Sequence, residues 1–403
     1  MEQDPSIGIS GFAKVRDTAT AQAAFRTWMF GHALPFWGGP GMDQATGAAQ
    51  EAMRLDGTPA GLPWTRMRVQ ARQLYAFSHA ALLGWQPGAA LAGGIYRFIT
   101  RHGERDGGGW ARRLAPDGTV LDPAADLYDQ AFVLFALAWH ARLTGEAEPL
   151  ARARRTLDWI VAHMAHPPAG LRNVLPHEAG PRQQNPHMHL LEATLALLET
   201  TGDGFYADQA HGLASLFHRH LFDPATGTLG EFFTDEWAPA PGEVGSHVEP
   251  GHHYEWVWLL DQYERLTGTD ATASVGRLYD FARRHGTDPV SALVWDVAGR
   301  DGAARLRTTR LWPQTEALKA HIVMARRNSG GADLVAPVVR NIGTRFLTGY
   351  PEGAWIDQLD AAGGATSKGV PTSSFYHLFM AFAELEGTAP RAGIAFERRA
   401  RVR

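Results

Sequence analysis

The chain has 403 residues, with 38 Lys plus Arg against 42 Asp plus Glu (net charge −4), 45% hydrophobic residues and no cysteine. These are the proportions of a globular protein with a sizeable core, and they exclude disulfides, thiolate metal sites and a cysteine nucleophile. The dispersed, near-neutral charge argues against nucleic-acid binding, and no apolar run approaches the roughly 18 residues of a membrane span.

Met1 to Ser10 has neither a basic nor an apolar leader stretch, so a cytoplasmic location is expected. Beyond it, twelve segments carry the apolar period of helices: 17–37, 66–84, 88–103, 123–143, 146–164, 186–201, 204–221, 250–267, 270–287, 312–327, 331–347 and 371–387. Thr144-Gly145, Thr201-Gly202 and Thr267-Gly268 read as glycine-terminated helix ends. The connections alternate between tight turns and long loops rich in Gly, Pro and Asp, such as 38–65, 104–122, 222–249 and 348–370. The even-numbered helices start near 66, 123, 186, 250, 312 and 371, in steps of 57 to 64 residues.

Six helical hairpins at this period fit an open α-solenoid or a closed double ring. The repeats share spacing but little sequence, and six units close a ring, so the expected fold is all-α, an (α/α)6 barrel. The long loops have room for short β-hairpins, with turns at Pro116-Asp117-Gly118-Thr119 and Gly227-Thr228-Leu229. Residues 1–390 are read as a single (α/α)6-barrel catalytic domain, and 391–403 as a basic tail expected to be mobile.

The unusual polar residues collect in the first turns of the even helices. They are Arg72, Tyr75 and His79; Asp126 and Asp129; Asn185, His187, His189 and Glu192; His252 and Glu255; Trp312 and Glu316; and Tyr376 with His377. If the even helices form the inner ring, these residues meet at one mouth, where the helix N-termini favour an anionic intermediate. His252 and Glu255, three apart, allow a carboxylate to orient an imidazole, as a general acid or base requires. A capped helix start with an ordinary surface pair is the plainer alternative. A metal site could draw on His187, His189, His252, His377 and Glu255, but no strong ligand spacing such as HExxH supports it, so no metal and no cofactor is expected. No phosphate loop or nucleophile elbow is present.

At these residues the sequence resembles the N-acylglucosamine 2-epimerase superfamily over nearly its whole length. The matching pieces are Arg72-Gln-Leu-Tyr75, Asn185-Pro-His-Met-His189-Leu-Leu-Glu192, Pro250-Gly-His252-His-Tyr-Glu255-Trp256, Trp312-Pro-Gln-Thr-Glu316, Trp355-Ile-Asp-Gln358 and Tyr376-His377. The resemblance implies an (α/α)6 barrel and metal-free, reversible proton transfer beside a sugar carbonyl through a cis-enediol. It implies His377 as the proton shuttle, His252 oriented by Glu255 as second acid/base, His189 for ring opening and Arg72 for the enediolate. Asn185, Glu316, Trp312, Gln358, Tyr75 and Asp129 would contact the sugar.

Among the family's activities, D-mannose to D-fructose isomerisation is the expectation. Thr234 to Gly251 contains no Lys or Arg, which argues against an anionic sugar. Cellobiose 2-epimerisation, with Trp237 and Trp312 stacking a second ring, and N-acylglucosamine 2-epimerisation are the alternatives. An (α/α)6 glycoside hydrolase using carboxylates among Asp126, Asp129, Glu255 and Glu316 is the alternative from another class. The expected partner is a monosaccharide, without nucleic acid or membrane, in a monomer or homodimer.

Overall fold

The amphipathic period becomes helix wherever the sequence shows it. A computed structural model describes residues 8–348 and 351–387. Its long helices are α1 (Thr18–Trp28), α2 (Met67–Leu82), α3 (Gly88–His102), α4 (Leu127–Thr144), α5 (Glu148–Met164) and α6 (Asn185–Thr201). They continue as α7 (Gly204–Leu216), α8 (Pro250–Thr267), α9 (Thr272–His285), α10 (Leu311–Arg326), α11 (Ala332–Asn341) and α12 (Phe375–Glu386). α1, α7 and α11 each run on into a π-turn, at Met29–Ala33, Phe217–Leu221 and Ile342–Phe346. Gly145, Gly202 and Gly268 close α4, α6 and α8 at φ near +70°, each donating its N–H to the carbonyl four residues back.

Burial separates the two rings. On α5 only a stripe is buried: Pro149, Ala153, Thr156, Leu157, Ile160 and Met164. On α4 nearly every residue from Leu127 to Ala138 is buried, because it packs on both sides and toward the axis. The even helices contact one another in the order α2, α4, α6, α8, α10, α12 and back to α2, so the ring closes. Each packs outward on the helix that follows it, and α12 packs on α1. The architecture is an (α/α)6 barrel. No helix among the described residues is long and apolar enough to cross a membrane. The basic tail from 391 lies outside the described residues.

The strands differ from the expectation of hairpins inside single loops. Hairpins do occur, at Arg113–Leu114 with Val120–Asp122, Phe222–Asp223 with Thr228–Leu229, and Val297–Gly299 with Ala304–Leu306. The expected turns sit in two of them, with Gly118 and Gly227 at positive φ. More pairings join one long loop to the next: Thr65–Arg66 to Arg113–Leu114, Ala125–Asp126 to Val174–Leu175, and Arg182–Gln183 to Phe232–Phe233. His247–Val248 to Val297–Gly299, Thr309–Arg310 to Gln358–Leu359, and Ala52–Met53 to Val370–Pro371 complete the circle. Each two-residue strand leading into an inner helix thereby satisfies its backbone groups on a neighbouring loop.

A side-chain clamp repeats beneath this circle. Gln70 binds both the N–H and the C=O of Ala49, Gln130 those of Trp110, and Gln314 those of Val294, all at 2.7–3.0 Å. His187 and His253 take the equivalent place on α6 and α8. Each Nε2 accepts from a loop N–H, of Leu171 at 3.0 Å and of Leu229 at 2.9 Å, while Nδ1 meets the backbone carbonyl four residues back. Burial lowers their pKa values to about 4 and about 3, so both are neutral and structural.

Candidate active site

The inner helices deliver their first turns to one chamber. Proline is tolerated at the starts of α6 and α8 because no intrahelical N–H is lost there, so His189 and His252 follow within the first turns. Gly251 lies where a Cβ would stand 2.6 Å from the Trp312 ring, so only glycine lets α8 approach α10 this closely.

Three histidines face this chamber, and a glutamate holds the Nδ1 of each. Glu192 meets His189 at 2.9 Å, Glu231 meets His252 at 3.0 Å, and Glu316 meets His377 at 2.8 Å. With Nδ1 committed to a carboxylate, Nε2 is the atom left for a substrate. Among the described residues the Nε2 atoms of His252 and His377 have no hydrogen-bond partner, and that of His189 lies 3.9 Å from Glu255. The Trp312 ring adjoins both His252, at 4.9 Å between centroids, and His377, at 5.5 Å.

The pairs differ in charge. Burial opposes ionisation of His252, but Glu231 and Glu249 outweigh it and raise its pKa to about 9. His377 is held well below the usual imidazole range by burial first, then by Arg72, Lys319, His189 and His252. His189 is likewise lowered by burial, Arg72 and His252. At neutral pH the chamber therefore holds one imidazolium, at His252, and neutral imidazoles at His377 and His189.

Arg72 completes the polar lining. Its guanidinium donates to Ser373 O at 3.0 Å and Tyr128 Oη at 2.7 Å, with the Phe132 ring 4.1 Å from its carbon. No carboxylate contacts it, and its Nε is buried without a partner among the described residues. Such a cation is poised for a developing anion. Behind it Tyr376 donates to Glu192, whose carboxyl burial raises to about 7.

The structure reassigns several contacts expected from sequence. Glu255 is not the partner of His252; it sits on the His189 side of α8, one carboxylate oxygen unpartnered, its pKa raised by burial and by Glu316. Three residues along a helix is not enough when a loop residue, Glu231, reaches the ring directly. Glu316 is fully buried and holds His377 rather than facing a sugar. Asp129 is fully buried and clamps Arg68, accepting from its N at 3.0 Å and its Nε at 2.6 Å. Tyr75 lies a turn deeper, bonded to His79 and packed on Tyr376. Trp237 is buried with Arg182 stacked 3.8 Å from its ring, and cannot stack a sugar. Gln358 stays at the rim beside Asp296, and Asn185 lines an adjoining cavity of about 320 Å³ with Tyr128 and Arg68.

Not among the site residues expected from sequence are Glu231, Tyr128 and Lys319. Glu231 lies in a loop without helical period and carries no spacing signal. Lys319 does: it stands three residues after Glu316 on one face of α10, 2.6 Å from its carboxylate.

Glu255, Glu316 and His377 offer ligand atoms within 4.8 Å of one another. The Lys319 ammonium, 2.6 Å from Glu316, already neutralises one of these carboxylates, which weighs against a cation there.

Comparison with known proteins agrees with this geometry. Residues 48–381 match the family profile described as N-acylglucosamine 2-epimerase. The chain is 36% identical to a mannose-6-phosphate isomerase of Rhizobium meliloti, covering 90% of this chain and 96% of that one. It is 27% identical to a D-mannose isomerase of Thermobifida fusca, over 90% and 94%. In structure it resembles the cellobiose 2-epimerase of Bacillus thermoamylovorans, with TM-score 0.83 and 21% identity, covering 92% of this chain and all of that one; at that identity the likeness concerns the fold.

Proposed function

We propose that this chain, which belongs to the N-acylglucosamine 2-epimerase family and is a sugar isomerase/epimerase, interconverts D-mannose and D-fructose without a metal ion. The observation that carries the reading is the trio of His189, His252 and His377, each held at Nδ1 by a glutamate, with His252 and His377 both beside the Trp312 ring.

Proton transfer beside a carbonyl needs a neutral base and a charged acid in reach of one substrate. In the open-chain sugar, the His377 Nε2 takes the C2 proton. The His252 imidazolium gives a proton to the carbonyl oxygen as its charge develops. Arg72, held in place by Tyr128 and Ser373, stabilises the enediolate. His377 then returns its proton to C1 while the now neutral His252 takes the proton of the C2 hydroxyl, so the ketose forms and both histidines regain their starting charge. Glu316 and Glu231 stabilise the imidazolium that forms on each histidine in turn. His189, neutral and tied to Glu192, assists ring opening.

The D-mannose isomerase name belongs to the 27%-identical relative, while the 36%-identical one is named for mannose 6-phosphate; the choice of a neutral hexose rests on the charges at the mouth. Three arginines around the mouth are neutralised: Arg68 by Asp126 and Asp129, Arg112 by Asp122 and Glu178, and Arg310 by Asp296 and Glu249. A phosphate meeting any of these three would have to displace its carboxylates.

The test is proton NMR of EDTA-treated enzyme with D-mannose in D2O. Appearance of fructose carrying deuterium supports the proposal. No change with mannose, but turnover of mannose 6-phosphate or of cellobiose in parallel tubes, would replace the substrate while keeping the chemistry.

A further inference from the structure

Lys319 is a fully buried ammonium inside the barrel wall. It lies 2.6 Å from Glu316, 3.3 Å from the Met380 sulfur and 4.3 Å from the centre of the Trp258 ring. A buried ion pair of this kind adds little net stability over apolar residues of the same volume. The position therefore calls for another reason, and the geometry supplies one. Glu316 spans the ammonium and the His377 Nδ1 with its two carboxylate oxygens.

We propose that Lys319 is a positioning residue: by keeping Glu316 ionised, it fixes His377 in the tautomer whose Nδ1 carries the hydrogen and whose Nε2 is bare toward the chamber. The inference rests on the proposed base role of His377. Glu316 is fully buried, and burial is what disfavours its charge; Lys319, hydrogen-bonded to it, is the foremost group holding that charge in place. Without the ammonium, Glu316 takes up a proton. A protonated Glu316 donates to Nδ1 instead of accepting from it. The ring then carries its hydrogen on Nε2 and has no lone pair for the substrate. Arg72, His189 and His252 also face His377 and disfavour its charged form, so the neutral tautomer is what decides whether it can act.

The experiment is 15N NMR of histidine-labelled full-length enzyme without substrate, the His377 signals assigned by their loss in His377→Asn. The wild type is expected to show the Nδ1–H tautomer, and Lys319→Met the Nε2–H tautomer. In steady-state assays Lys319→Met is expected to lower kcat on the order of 10²-fold with KM nearly unchanged, and to cost little further in a Glu316→Gln background, where no charge needs keeping. Lys319→Gln carries the same comparison if the methionine variant does not fold. An Nε2–H tautomer in the wild type, an unchanged tautomer in the variant, or equal losses in both backgrounds would overturn the proposal. Because the tautomer is read without substrate, a wrong choice of sugar leaves this result standing.

Discussion

Oε2 of Glu231 lies 3.0 Å from Nδ1 of His252, although Glu231 belongs to a loop and Glu255 stands three residues away on the same helix as the histidine. This contact, with Glu249 behind it, keeps His252 charged to a pKa of about 9 against its burial. The acid of the proposed reaction is therefore made by a loop and not by α8 itself.

Glu231→Gln should bring the His252 pKa down toward the imidazole range. The alkaline limb of kcat then moves to lower pH, and kcat at pH 8 falls roughly 10- to 100-fold. Stability changes in a matching way. A histidine whose folded pKa is raised contributes stability that is complete below about 6.5 and is lost as pH rises through about 9. Melting curves from pH 6 to pH 10 should show that decline in the wild type and a flatter profile in the variant.

His377→Asn removes the proposed base while retaining a polar group beside Glu316. Incorporation of solvent deuterium into mannose and fructose should fall by about 10²-fold or more, with Tm within a few degrees of wild type. Wild-type exchange in this variant would assign the base to another residue.

Arg72→Lys keeps a positive charge but not the fork that reaches Ser373 O and Tyr128 Oη together. The loss should appear in kcat, on the order of 10-fold or more, and less in KM, because the charge being met exists only as the enediolate forms.

Gly251→Ala places a methyl 2.6 Å from the Trp312 indole and 2.9 Å from the Pro313 Cβ. The rigid ring must shift, and it adjoins both His252 and His377. We expect kcat/KM to fall by about 10-fold or more for a displacement of well under 1 Å, with near-wild-type far-UV circular dichroism.

Arg68→Ala leaves Asp129 buried without its cation, a loss on the order of 3 kcal/mol. Asp129 is pushed up to about 6 by burial, even against Arg68. Removing Arg68 raises it further, so the folded variant binds a proton that the unfolded chain does not. The destabilisation should thus be smaller at pH 5 than at pH 8, and denaturant titrations at the two values measure it.

Much of this arrangement was legible in the sequence because it is periodic. Twelve amphipathic segments, paired so that every second one starts about 60 residues after the last, became two rings, and Gly145, Gly202 and Gly268 ended helices as glycine does. The convergence of His189, His252, His377 and Arg72 followed once the even helices were inside. The clamps were also periodic, since Gln70, Gln130, His187, His253 and Gln314 recur at the same place in successive repeats. From the sequence His187 stands with the mouth residues; only the clamp contacts set it and His253 apart from the histidines of the chamber.

Local physics sets where helices form and stop, which of their faces are apolar, and which polar groups share a helix end, and all of that is written along the chain. Which groups pair with which is settled in three dimensions. Glu231 reaches His252 from a loop, Glu316 turns to His377 across two helices, and Asp129 is spent on Arg68. Those choices depend on through-space distances of about 3 Å between residues far apart in the chain, and on burial that alters the cost of each charge. Neither quantity has a period along the sequence, so the charge states of His252 and His377 became readable only when the ring had closed.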